Sequence, residues 1–149
     1  MQIDRADMKL LIEAGYSCVM RGLAVDPTPI FEAINEWMPR FAAGEIGLAL
    51  GEMTAGRFAE ADARLAAVLV SDREGRDEAR AILAMCKALQ HQHDEARRLR
   101  CELQGAGGAA EAFTALLVEG EPETTQGNQG LALEAGATPA GDGRDAERA

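Results

Sequence analysis

Aromatic side chains are scarce in this 149-residue chain: one Trp, one Tyr and four Phe. Platforms on which bases or sugars stack need more of them. Basic charge is also short, with 15 Lys and Arg against 25 Asp and Glu and a formal net charge of -10. That balance argues against nonspecific binding to nucleic acid or to anionic lipid, both of which need a basic surface. No apolar run approaches the roughly 18–20 residues that span a bilayer, so no membrane insertion is expected. The opening MQIDRADMKLLIEAG lacks the basic start, apolar block and small-residue cleavage site of a secretory signal. The cytoplasm is the expected compartment, with the periplasm left open to export without a recognisable signal.

Cysteine is sparse too. Cys18, Cys86 and Cys101 form no CxxC pair, and an odd count cannot be fully paired. This usage suits a reducing compartment in which cysteine is a small buried apolar residue. Neither serine, Ser17 or Ser71, stands in a G-x-S-x-G context. No phosphate-binding glycine loop follows a strand pattern. The only histidines, His91 and His93, would need further ligands for zinc; Cys86, Asp94 and Glu95 are the near candidates, and a solvated turn is the simpler reading. No enzyme, metal or cofactor is expected.

The chain divides by composition. From Gly120 to Ala149 the large apolar residues are reduced to Leu131 and Leu133, among Gly, Pro, Thr and acids. Such a segment cannot bury enough to offset its ordering entropy. We read residues 1–119 as one domain and 120–149 as a disordered acidic tail.

Residues 1–119 carry helical periodicity nearly throughout. Met8, Leu11, Ile12, Gly15 and Val19 share one face of a first helix. Asp26-Pro27-Thr28-Pro29 opens a second, with Asp26 or Thr28 as cap and either proline at the first helical position. Its stripe is Ile30, Ile34, Trp37 and Met38, and Pro39 ends it. Ile46, Ala49, Leu50 and Met53 mark a third helix, and Phe58, Ala61, Leu65, Val68 and Leu69 a fourth. Ser71-x-x-Glu74 fits a capping box for a fifth helix with Ala79, Ile82, Leu83, Cys86 and Leu89. A sixth runs through Ala96, Leu99 and Leu103 to Gly105, and a short seventh covers about Ala109–Val118. No β alternation survives, so the expected fold is all-α, an array of helical hairpins.

The hairpin turns recur. Gly22, Gly56 and His91 are 34 and 35 residues apart, the period of the tetratricopeptide repeat (TPR). The middle unit is clearest: Gly56, Arg57, Phe58, Ala59, Glu60 and Ala61 resemble the family's turn and the start of its second helix. In the first unit Gly15, Gly22, Phe31 and Pro39 match, but Pro27 holds the small-residue position. In the third, His91 replaces the turn glycine and Arg100 the aromatic. The expectation is a TPR-like stack of three hairpins with a C-terminal capping helix.

A narrower resemblance spans the first two units. A helix ending in G-Y-x-x-x-x-R-G (Gly15 to Gly22), then Ile30-Phe31-Glu32-Ala33, then Pro39 before an apolar helix with G-R-F-x-E-A, is similar to the small TPR-like proteins of bacterial type III secretion. These are the Hrp-type B/K family and, more distantly, the YscG-like needle-subunit chaperones. The resemblance implies a non-enzymatic adaptor or chaperone. Its protein partner would be a secreted or needle-type subunit or a co-chaperone. The alternative is a structural or envelope-contacting part of the apparatus acting by self-association, and a homo-oligomer is left open.

In a TPR stack the first helix of each hairpin lines a concave groove. That register selects Lys9, Ile12, Tyr16 and Val19, then Ala43, Ile46, Leu50 and Met53, then Glu78, Ala81, Met85 and Ala88. Such a wall suits an amphipathic helix laid in by its apolar face, with methionines that repack readily. The groove residues expected to hold a client are Ile12, Tyr16, Val19, Ile46, Leu50, Met53 and Met85. Leu50→Glu is expected to abolish client binding with helix content intact. The competing reading makes all of them core. Arg97, Arg98 and Arg100 form a basic cluster, read either as a solvated helix face or as a site for an acidic partner. Trp37 is either an anchor between hairpins or an exposed hot spot.

Overall fold

The computed structural model describes residues 3–120; from residue 121 on, the expected tail lies outside them. The first helix, α1 (Arg5–Met20), starts where the Asp4 carboxylate accepts a hydrogen bond from the Arg5 amide. Helix α2 (Thr28–Trp37) starts beside Asp26, whose Oδ1 accepts from the Thr28 amide at 3.0 Å. Asp26, rather than Thr28, is therefore the residue serving this helix start. Pro29 lies in the first turn, where its missing N–H costs nothing. The chain continues through α3 (Ala43–Thr54), α4 (Phe58–Leu69), α5 (Arg76–Leu89), α6 (His93–Leu103) and α7 (Gly108–Glu119). Among the described residues there is no strand, and no helix is long and apolar enough to cross a membrane.

Each helix packs on the next in sequence, and α1, α3, α5 and α7 also contact one another in succession. The even-numbered helices do not touch each other in this way. The result is a stack of hairpins with an inner layer of odd helices and an outer layer of even ones. The fold is thus the expected all-α hairpin array, closed at its C-terminal end by α7.

Three helix ends share one backbone turn. At Gly22, Gly56 and His91 the φ angles are 59°, 77° and 61°. In each, the following amide reaches back over the last turn: Leu23 to Cys18 O, Arg57 to Glu52 O and Gln92 to Lys87 O, at 3.2, 2.8 and 2.9 Å. This is the double-bonded left-handed C-cap that satisfies orphan carbonyls. Glycine supplies the conformation freely at Gly56; His91 adopts it against the steric preference of an L side chain.

Phe31 is the largest side chain of the innermost core, with no exposed surface. It lies between α1 and α3 because glycines face it: a Cβ at Gly15 would meet its ring at 2.8 Å, and one at Gly47 would fall inside the ring's van der Waals envelope. The Tyr16 and Phe31 rings meet edge to face at 5.4 Å. Around them Ile34, Ala49, Leu65, Ala79 and Leu83 form the continuous core.

The capping box expected at Ser71–Glu74 is not formed. The Ser71 hydroxyl donates to Val68 O at 2.7 Å and so finishes α4, while α5 begins at Arg76 behind Gly75 with φ 99°. Glu74 is used elsewhere. Its amide donates to Arg40 O and its carbonyl accepts from the Ala42 amide, both at 2.8 Å. A backbone bridge between the loops before α3 and α5 outcompetes the local cap, because it satisfies two backbone groups that the loops would otherwise leave unpaired.

Candidate functional site

An apolar trough of about 630 Å³ opens between the middle and second half of α1, the inner faces of α3 and α5 and the start of α7. Ile12 and Tyr16 come from α1, Ala43, Ile46 and Leu50 from α3, and Glu78, Ala81 and Ile82 from α5. The bridged loops add Phe41, Ala42, Glu74 and Gly75 at one edge. Helix α7 closes another edge with Ala109, Ala110 and Phe113. Phe41 and Phe113 remain 43% and 38% exposed, which leaves aromatic surface at the mouth rather than in the core.

Seven of the twelve register positions line this trough: Ile12, Tyr16, Ala43, Ile46, Leu50, Glu78 and Ala81. The other five lie outside it: Lys9 is exposed on the first half of α1, and Ala88 is half-buried near the end of α5. Val19 and Met53, near the C-terminal ends of α1 and α3, are buried in the core at 7% and 6% exposure. Met85 is half-buried and packs against the same core. Val19 instead borders a smaller cavity with Cys18, Gly22 and Phe31. Of the seven expected client-binding residues, the structure brings Ile12, Tyr16, Ile46 and Leu50 together in the trough and leaves Val19, Met53 and Met85 outside it.

Ile46 and Leu50 form a floor rather than a free wall. They are 6% and 7% exposed and belong to the core cluster. They are core residues, as the competing reading expected, and also line the trough. Leu50→Glu would bury an unpaired carboxylate, so loss of fold replaces the expected loss of binding alone.

Tyr16 ties the trough wall together. Its hydroxyl donates to Ala43 O at 2.8 Å, joining α1 to the start of α3. Burial, with the nearby Glu78 carboxylate, pushes its pKa up to about 12. The hydroxyl therefore stays protonated, and bonded, across the physiological range. Glu74 and Glu78 are exposed and are the only charged residues in the lining, which holds no Lys, Arg or His.

Ion pairs hold the stack on its other faces. The Arg64 guanidinium takes Glu52 through Nη2–Oε1 at 2.8 Å and Nε–Oε1 at 3.2 Å, and takes Glu45 through Nη1 at 2.8 Å. The hydrogen bonds to Glu52 first, and those to Glu45, raise its pKa further. Lys87 pairs with Asp62 between α5 and α4, and Arg80 with Glu102 between α5 and α6. Charge pattern on single helices hinted at none of these pairs, since each joins residues on different helices.

The basic cluster is internally satisfied. Arg97 pairs with Asp94 at 2.8 Å, Arg98 with Glu95 at 2.7 Å and Arg100 with Glu119 at 3.3 Å. His91 and His93 stand with ring centroids 6.0 Å apart. Among the described residues no three His, Cys, Asp or Glu side chains gather as a metal set. Burial, then Asp62, pushes the Cys86 thiol up to about 12, so this cysteine is held in its unreactive form. Trp37 is 43% exposed at the end of α2.

Phe41, Glu74, Ile82 and Phe113 were absent from the sequence-based groove, whereas Glu78 was among its positions. Phe113 carried the one available signal: an apolar C-terminal helix needs a partner, and the open end of the inner layer is where it can fold back. Comparison with family models, with curated proteins and with solved structures finds no match.

Proposed function

We propose that this chain is a TPR-like protein-binding adaptor or chaperone, not an enzyme, serving a bacterial type III secretion system from the cytoplasm. It holds an amphipathic segment of a client subunit in the trough. The observation that carries the reading is the trough itself. After the inner layer has packed, Ile12, Tyr16, Phe41, Ile82 and Phe113 still surround an unfilled apolar space. An opening of this size between helices is where ligands and partner helices dock. The 34- and 35-residue spacing of the three matching turns supports the repeat assignment. The assignment to type III secretion draws on the resemblance in residues Gly15 to Ala61.

Purification of the tagged protein from its native cell, followed by mass spectrometry, tests the reading. The wild type should recover a secreted subunit or its co-chaperone, and Ala109→Trp, which fills the trough from its exposed edge, should lose it. Equal recovery with both proteins would remove the proposal. The second reading, self-association, is favoured by Leu10, Met20, Leu23 and Val25 on the first hairpin, all at least half exposed. It predicts concentration-dependent polymers of the pure protein in light scattering.

A further inference from the structure

The trough's charge selects among amphipathic partners. Its lining is apolar except for Glu74 and Glu78, and no cation stands among it. Both carboxylates are exposed at the rim. The ion pairs that join neighbouring helices use Glu45, Glu52, Asp62, Glu102 and Glu119 and leave these two out. They are four residues apart in sequence, on either side of the α5 start, and Glu78 is close enough to act on the Tyr16 hydroxyl. The Glu74 backbone is fixed by its bridge to Arg40 and Ala42, which roots its side chain at the trough edge. The chain as a whole carries -10.

We propose that the occupant of the trough is a basic amphipathic helix of a partner protein, whose Lys or Arg residues flanking the apolar face meet Glu74 and Glu78. This rests on the reading of the trough as a docking site and adds the chemistry of the partner. Charged rims contribute mainly to selection and approach rather than to bulk affinity. A helix flanked by acids would set like charge against like at the same two positions. Two partly exposed pairs, turned from attraction to repulsion, correspond to about a tenfold difference in affinity at low salt.

The test uses the full chain and two synthetic helices of about 18 residues with the same leucine face. One carries Lys beside that face, and the other carries Glu. Fluorescence anisotropy at low salt should show the Lys peptide binding about tenfold tighter than the Glu peptide. The difference should shrink to about twofold or less in the Glu74→Gln, Glu78→Gln double variant, and in high salt. Both substituted side chains are exposed, and circular dichroism checks that the fold is kept. Equal binding of the two peptides to the wild type overturns the charge assignment and leaves the trough standing. Failure of both peptides to bind, or binding that survives Ala109→Trp, overturns the trough as a docking site and the inference with it.

Discussion

The Phe31 ring of α2 packs directly against Gly47 of α3, with no space between them for even a methyl group. Four residues further along the same helix, Gly51 faces nothing within 4 Å. The two glycines separate packing from propensity. Alanine at either position gains about 1 kcal/mol of helix propensity over glycine. At Gly47 overpacking opposes it by about 3 kcal/mol, because a fully buried ring has nowhere to withdraw. Chemical denaturation should show Gly47→Ala destabilised by about 2 kcal/mol and Gly51→Ala stabilised by about 1 kcal/mol. The companion change Phe31→Leu should absorb part of the Gly47→Ala loss.

Tyr16 is the sole tyrosine, so phenolate absorbance reports on it alone. Its folded-state pKa of about 12 stands above the ordinary 10.0. The neutral form is favoured by folding, so its contribution is complete below pH 10 and is lost as pH rises towards 12. A pH titration should show phenolate appearing together with loss of the helical signal. Phenolate titrating near pH 10 in an intact fold would contradict the buried bond to Ala43.

His91 pays for a left-handed turn that Gly22 and Gly56 adopt without strain. His91→Gly is expected to raise stability by about 0.5–1 kcal/mol, the steric relief outweighing the extra chain entropy of glycine. His91→Val, β-branched at a positive φ, is expected to lower the Tm.

Arg64 holds Glu45 and Glu52 together across the α3–α4 hairpin. Arg64→Met removes charge-assisted bonds and leaves two carboxylates side by side, at a cost of about 2 kcal/mol. Adding Glu52→Gln should recover part of that loss in thermal melts, whereas Glu102→Gln, on another hairpin, should add to it.

The sequence pattern carried the helices and the turns far better than the trough. Periodic apolar positions and the repeating Gly22, Gly56 and His91 are local signals, and local geometry decides them. The inner layer was legible only in part, because a register says which face of a helix looks inward but not how deeply. Ile12 and Val19 occupy the same stripe of α1, yet one borders open space and the other is core. That difference arises from where α7 and the Phe41–Glu74 bridge sit, and both depend on contacts distant in sequence. Ser71 failed for the same reason: its capping pattern was sound locally, but the bridge across the loops claimed Glu74.

The central claim is tested most directly by mapping backbone amide chemical shifts of the labelled protein as the Lys-flanked amphipathic peptide is added. The account predicts that the changes concentrate at Ile12, Tyr16, Ile82 and Phe113 and spare the Glu52–Arg64 face. Changes centred on that outer face, or none at saturating peptide, would contradict it.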